Sequence, residues 1–403
     1  MRVNYIKSFL RITFFLYFLF IILSNNLINA QNKNIIIKGK LDNTGQDSKL
    51  FLYEIDLQGF LPIDSFLLKR NGNFIFDFSS KEIIFLLLRT KENGIIKLAA
   101  TPGDIITIKG NYNDLLMSYT VEGSKDSEIF GLIDKQITLS NQKYQSAKDI
   151  LEKSSQNNIE QINDSINILI NNIYAELKLF LSQLIYENSG SVSCLIAINQ
   201  MFLNKMLFYF ETDLNTYLSI DKQLIKYHAG NKHVLAFHKN VETYLKFKAE
   251  NDAIEQRAGI GIKAHDISLF DTDSNKISLF DLKGKVVLIK FWNPSCDICR
   301  DENKKLKEIY FKNKDKGFEV FAVSIGTKRE DWIYAINEDD TKEWINIKIS
   351  EEGDNIPNLS SFYVALYGVK SIPYSFLIDR NGYIINKGFK IDVLDELLQD
   401  ILQ

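Results

Sequence analysis

The chain has 403 residues, 45% of them hydrophobic, with 48 basic and 51 acidic side chains and a formal charge of −3. This balance excludes a nucleic-acid binder, which shows a basic excess, and the length exceeds what one core fills, so two or three domains are expected. Three cysteines, Cys194, Cys296 and Cys299, are too few to scaffold a chain of this size with disulfides.

Arg2, Lys7 and Arg11 surround the start of an apolar run, Ile12 to Leu23, which gives way to the polar SNNLINAQN. That is the layout of a secretory signal peptide, and 12 apolar residues fall short of the roughly 20 that a membrane span needs. Residues 1–30 are therefore read as a signal peptide cleaved near Ala30, which sends the protein to the periplasm or cell envelope. Ile28 stands where a small residue favours cleavage, so an uncleaved N-terminal membrane anchor is the alternative. No cysteine lies nearby to accept a lipid. Cleavage removes three basic residues and no acidic ones, leaving 45 against 51 and a formal charge of −6.

Residues 31–123 read as a β-rich domain. NIIIKGKL, KLFLYEI, FIFDF, IIFLLLRT, IIKLAA and DIITIKG are short apolar runs. The turn signals Asn71-Gly72, Asn93-Gly94 and Pro102-Gly103 separate several of them, and Phe74, Phe76 and Phe78 alternate as one face of a strand does. An all-β sandwich or barrel is expected. Residues 124–255 contain no proline, and Ile162, Ile166, Leu169, Ile173, Leu177, Leu181 and Leu184 recur at helical spacing. Asn188-Ser-Gly-Ser interrupts this helix, and SVSCLIAINQMFLNKMLFYF begins another. Cys194 lies on its apolar face, as a buried free cysteine does.

Residues 256–403 alternate strands with helices. The expected strands are 286–292, 318–324, 345–349, 374–379 and 383–388, and the expected helices run from Cys296 to Lys312, Arg329 to Asn337, Leu359 to Leu366 and Ile391 to Leu402. Asn381-Gly382 joins the last two strands as a hairpin. Parallel β-α-β units ending in an antiparallel hairpin, an α/β domain, follow from this order.

The chemistry concentrates in FWNPSCDICR, residues 291–300. Cys296 ends a strand and opens a helix, where free backbone N–H groups and the helix dipole favour a thiolate. Cys299, one turn on, can attack a mixed disulfide formed at Cys296, which makes the pair a dithiol-disulfide exchanger. Two alternatives compete. Zinc needs four ligands, but no second C-x-x-C or histidine pair lies around the motif; His228, His233 and His238 belong to the helical segment and His265 is single. A structural disulfide would close too small a loop to remove much unfolded-state entropy.

FWNPSCDICRDE, preceded by ISLFDLKGKVVLIKFW and followed by VKSIPYSFLIDRNGYI, resembles the thioredoxin fold and, within it, the TlpA/ResA-like thiol-disulfide oxidoreductases of bacterial envelopes. The resemblance covers about residues 258–403. IDSFLLKRNGNFIF and ATPGDIITIKG resemble the small domain of unassigned function that often precedes such domains. The resemblance implies that Cys296 is the exposed nucleophile, Cys299 the buried resolving thiol, and Pro373 a cis-proline that lets the backbone of Ile372 pair with an extended substrate. Trp292 would flank the pair or simply end a buried strand, and Glu302 matches a recurrent family glutamate or is a first-turn carboxylate favoured by the dipole. The implied partners are protein dithiols or disulfides and an upstream thiol electron donor. The redox-active Cys296–Cys299 disulfide takes the place of any cofactor, and no metal is implied.

The chain departs from the family at four places. Ser295 stands before the first cysteine and Lys304 in place of a helix proline. Asp297 and Ile298 separate the cysteines, and the acidic Asp297 disfavours a thiolate at Cys296 and makes the disulfide harder to reduce, which leans the reading toward a reductase. Lys290 occupies a position that is commonly acidic or an amide. Its ammonium would favour a Cys299 thiolate if it reached that far, but the expectation is a packed stem with the charge snorkelling to solvent. A thiol peroxidase of the same fold would need a hydroxyl residue and a proline where Asn293 and Ile289 stand. A third reading makes the protein a non-catalytic envelope binding module that carries a thioredoxin scaffold.

Overall fold

The computed structural model describes residues 34–92, 94–154, 159–349, 359 and 361–402, so the leader-like segment and Ala30 lie outside the described residues. The chain divides into two compact units, Met1–Tyr244 and Leu245–Gln403. The compositional change at residue 124 falls inside the first unit.

The first unit opens with β1 (Asn34–Asp42), β2 (Lys49–Asp56), β3 (Gly59–Leu67), β4 (Asn73–Ser79), β5 (Ile84–Thr90), β6 (Ile95–Ala100) and β7 (Ile105–Asn111), then a single helical turn, α1 (Leu115–Ser118), and β8 (Thr120–Glu122). Among the described residues these form two four-stranded sheets, ordered β4-β1-β7-β8 and β3-β2-β5-β6. Alternate side chains, Ile35 and Ile37 of β1 and Phe74 and Phe76 of β4, share one core with Leu50, Leu52, Leu86 and Leu88 of the other sheet. The N-terminal region is thus a β-sandwich, each strand burying every second residue. β3 escaped the sequence reading because Pro62 interrupts it and most of its side chains are exposed; it is an edge strand, the place in a sheet where proline is tolerated.

Five helices follow: α2 (Lys125–Ser154), α3 (Ile159–Glu187), α4 (Ser193–Ile198), α5 (Phe210–His228) and α6 (Lys232–Ala258). Ile173, Leu177, Leu181 and Leu184 of α3 form the buried stripe that their spacing predicts, and Phe85 of β5 and Ala99 of β6 join the same core. β5 is therefore buried on both faces, and sheet and helices make one body. The segment Glu160–Glu187 is long and apolar enough to cross a membrane by length and composition, but its stripe belongs to this core. The helix expected to begin in SVSCLIAINQMFLNKMLFYF is α4, and it is short. α4 stops at Ile198, and Met201–Phe202 (β9) pairs with Lys205–Met206 (β10). Leu203 and Asn204 between them take φ of 46° and 63°, the left-handed pair that a two-residue hairpin turn requires and a helix cannot accommodate.

The second unit contains β11 (Ser268–Asp271), β12 (Lys276–Ser278), β13 (Val286–Trp292), α7 (Asp297–Asn313), β14 (Phe318–Ser324), α8 (Arg329–Glu338), β15 (Ile345–Lys348), α9 (Phe362–Tyr367), β16 (Tyr374–Ile378), β17 (Ile384–Lys387) and α10 (Leu394–Ile401). Among the described residues the sheet has seven strands in the order β12-β11-β15-β14-β13-β16-β17. β13 runs parallel to β14 and antiparallel to β16. Its side chains divide between two cores: Val287, Ile289 and Phe291 face one, while Val286, Leu288 and Trp292 face the other, with Cys299 and Leu306 of α7. The last turn of α6 is fixed to the C-terminal end of α9, where Arg257 donates to the carbonyls of Leu366 (3.0 Å) and Ala365 (2.9 Å). These are the carbonyls a helix leaves without an internal partner. Gly368 ends α9 at φ 67°, and a Cβ there would lie 2.4 Å from Ile254, so glycine satisfies both the turn and the packing.

Candidate active site

β13 is an interior strand, and its end delivers the chain to the site. Asn293, 1% exposed, ties the following loop down: its side-chain amide donates to the carbonyls of Ile325 (2.6 Å) and Gly326 (3.0 Å), and its oxygen accepts from the Ser295 N–H (2.7 Å). The Asn293 carbonyl then accepts from Cys296 N–H at 3.1 Å. Cys296 is the N-cap of α7, with φ −95° and ψ 103°, and its sulfur accepts from the Cys299 N–H at 3.2 Å. A cysteine sulfur thus takes the place of the usual capping oxygen, at the end of the helix where negative charge is favoured.

Cys296 and Cys299 form a disulfide with their Cα atoms 5.2 Å apart. The two are unequal in access: Cys296 is half-buried, and Cys299 is 0% exposed. Asp297 and Ile298 between them project into solvent, Ile298 with 68% of its surface exposed. Trp292 is 1% exposed and packs in the core that contains Cys299. The register that pairs Phe291 with Tyr374 brings Ile372 and Pro373 to the same end of the sheet as the cysteines. The Ile372–Pro373 bond is cis, and Ile372 and Cys296 both pack against the core that holds Trp292 and Cys299.

Lys290 does not snorkel. It is 0% exposed, and its Nζ donates to Glu302 Oε2 at 3.0 Å and to the Cys299 carbonyl at 3.4 Å. The physical reason is strand order. β13 has hydrogen-bonded neighbours on both sides, and the register partners of Lys290 are the small Ala322 and Ser375, so the stem finds room inside and no route out. Burial lowers the pKa of Lys290 below the ordinary lysine value, and Glu302 and Asp339 offset part of that. Glu302 is thus a counter-ion rather than only a first-turn carboxylate.

Four further residues, Arg300, Asn303, Glu338 and Asp339, complete the surroundings. Arg300 Nε donates to Asp339 at 2.6 Å and its Nη2 to Glu338 at 2.9 Å, and Asn303 donates to the same Asp339 oxygen at 2.8 Å. The hydrogen bond to Asp339 is the main cause raising the Arg300 pKa further. Arg300 and Asn303 could have been noticed as neighbours of Cys299 on one helix, but Asp339 lies 39 residues from Arg300 and only the fold brings it there. Among the described residues, no group of three or more His, Cys, Asp or Glu side chains is placed to hold a metal ion. Cys194 stays apart, buried and free, with its thiol pushed up to about 12 by burial and by Asp126.

Residues 260–387 match the AhpC/TSA family, and residues 35–130 match a domain of unknown function, DUF4369. The thiol-disulfide oxidoreductase ResA of Bacillus thuringiensis is 30% identical over 138 residues, which cover 34% of this chain and 72% of that protein. ResA of Bacillus cereus is 31% identical over 149 residues, covering 37% and 80%. Among solved structures, the thioredoxin domain of a thiol-disulfide oxidoreductase from Bacteroides vulgatus is 31% identical, with 36% of this chain and 98% of that one covered and a TM-score of 0.33. With an N-terminal β-rich domain, a helical segment and a C-terminal thioredoxin-like domain, the chain belongs to the ResA-like thiol-disulfide oxidoreductases.

Proposed function

We propose that this enzyme is exported and reduces disulfides in protein substrates of the cell envelope through Cys296 and Cys299. The Cys296 thiolate attacks a substrate disulfide, and one substrate sulfur leaves as a thiolate that takes a proton from solvent. The Cys299 sulfur, as a thiolate, then attacks Cys296 in the mixed disulfide and releases the second substrate thiolate. The substrate has then gained two electrons, and the protein holds the Cys296–Cys299 disulfide, which an upstream dithiol donor reduces again.

The observation that supports this reading is the asymmetry of the pair: a half-buried Cys296 at a helix N-cap over a Cys299 with no exposed surface. A substrate can reach the first sulfur, and only the first can reach the second. Export rests on the leader-like residues 1–30, with a membrane anchor as the alternative if they are retained. The reductive direction rests on the family and on the exposed Asp297 beside Cys296, which disfavours the reduced, thiolate-bearing form. Ile372, just before β16, is the backbone position proposed to pair with an extended substrate segment, and no cofactor enters the cycle.

A Cys299→Ser variant should capture envelope proteins as mixed disulfides at Cys296, released by reductant and absent from the Cys296→Ser, Cys299→Ser double variant. Recovery of no captured protein from envelope extracts would count decisively against protein disulfides as substrates.

A further inference from the structure

A buried ammonium beneath a redox pair costs stability unless it is compensated. Lys290 has its compensation on α7: Glu302 Oε2 at 3.0 Å, with the Cys299 carbonyl at 3.4 Å. Other charged groups surround the site, but they are engaged elsewhere or exposed. Asp339 is shared by Arg300 at 2.6 Å and Asn303 at 2.8 Å, and Glu338 pairs with Arg300 at 2.9 Å. Asp297 faces solvent. β14 and β16 contribute the neutral Ala322 and Ser375 beside Lys290. Glu302 is therefore the direct counter-ion, and its side chain keeps 22% of its surface exposed.

While the disulfide is closed, Glu302 is the direct partner of the positive charge among the described residues. Once it opens, an ionisable sulfur appears at Cys299, the residue whose own carbonyl the ammonium already touches. A neighbouring opposite charge lowers a thiol's pKa, and burial alone would raise it. We propose that Lys290 holds Cys299 as a thiolate in the reduced protein, and that Glu302 competes for the same ammonium and so limits that hold. The pair then tunes how readily the reduced protein gives up its electrons. This deepens the function proposed above and rests on it.

The proton balance makes the idea measurable. When a dithiol donor reduces the disulfide, two electrons and two protons leave the donor. Cys296 keeps one proton as a thiol, Cys299 remains a thiolate beside Lys290, and the second proton passes to solvent. The couple therefore takes up one proton per two electrons, where two neutral thiols would take up two. Each proton changes the equilibrium constant tenfold per pH unit, about 30 mV for this two-electron couple.

The test is an equilibrium redox titration of the full chain in dithiothreitol buffers between pH 6 and 8, with alkylation and mass mapping of Cys296 and Cys299. The wild type should follow about 30 mV per pH unit and Lys290→Met about 59 mV. At pH 7, Lys290→Met should shift the equilibrium about tenfold or more toward the disulfide, and Glu302→Gln a similar amount toward the reduced form. Two-proton behaviour in the wild type, or shifts of both variants in the same direction, would overturn the inference, because damage to packing alone has no reason to act with opposite signs. If Lys290→Met fails to fold, Glu302→Gln, at a partly exposed position, decides by the sign of its shift. A wild-type pair with no reversible couple would instead overturn the proposed function itself.

Discussion

Cys194 and Cys299 are both completely buried, yet their surroundings give them opposite chemistry. The sulfur of Cys194 faces the carbonyls of Asn188 (3.2 Å) and Ile185 (3.9 Å), and burial, with Asp126 nearby, pushes its thiol up to about 12. Among the described residues, no cation is a cause offsetting these effects. At pH 8 it therefore carries roughly a thousandfold less thiolate than an ordinary cysteine. Iodoacetamide should leave Cys194 unmodified in the native protein at pH 8 while labelling Cys296 after mild reduction. The Cys194 rate should rise about tenfold per pH unit, because the thiolate fraction does so below the pKa. Labelling of native Cys194 at the rate of a free thiol would show that the residue is accessible and ionised, contrary to its surroundings. The burial of Cys194 was legible from its apolar helical neighbours. The burial of Lys290 was not, because a lysine in VVLIKFW snorkels at a sheet edge and is trapped at a sheet centre, and strand order is not written locally.

At the scale of elements, α7 does two tasks with two ends. Its first turn presents Cys296 to solvent. Farther along, Cys299, Asn303, Leu306 and Tyr310 form the buried face, spaced three or four residues apart as a helix packed on a sheet requires. Leu306 is 0% exposed in the core shared with Leu288 and Trp292. Leu306→Ala should cost about 2–5 kcal/mol through lost burial and a residual cavity. Denaturant unfolding followed by tryptophan fluorescence measures this in the second unit alone, since Trp292, Trp332 and Trp344 all lie there. A change below about 1 kcal/mol would mean that α7 is not anchored by this face. The core of this domain was the most legible part of the sequence: β13 and β14 are apolar runs interrupted by Lys290 in one and by Glu319 and Ser324 in the other, and they are buried along their whole lengths. β11 and β12 were less legible. They are short, half-exposed strands held in a hairpin by an aspartate turn, in which Asp271 Oδ1 accepts from Asp273 and Asn275 N–H at 2.8 Å each.

At the scale of the whole molecule, the redox chemistry and the rest of the chain are separable in composition. The second unit holds both paired cysteines, the cis-proline and the complete seven-stranded sheet, and its two cores draw only on residues from Ala258 onward. A fragment of residues 245–403 should therefore fold alone and reduce insulin in the presence of dithiothreitol at a rate comparable to the full chain, with activity lost in Cys299→Ala. A folded but inactive fragment would show that the first unit takes part in the chemistry. In the first unit, composition suggested a β domain followed by helices. Phe85 and Ala99 of the sheet instead complete the helical core, an arrangement that a change in composition along the chain does not reveal.

The sequence by itself determined the kinds of elements, their order, and the placement of the C-x-x-C motif between a buried strand and a helix. Those features follow from apolar periodicity, turn residues and capping, which act over a few residues. Only the tertiary structure decided which charge lies under the disulfide and which side chains close each core. Glu302 meets Lys290 because α7 packs across β13, and Asp339 reaches Arg300 because α8 ends beside α7. Burial and ion pairing depend on neighbours supplied from elsewhere in the chain, and a lysine becomes part of a redox site only when every route to water is occupied by its own fold.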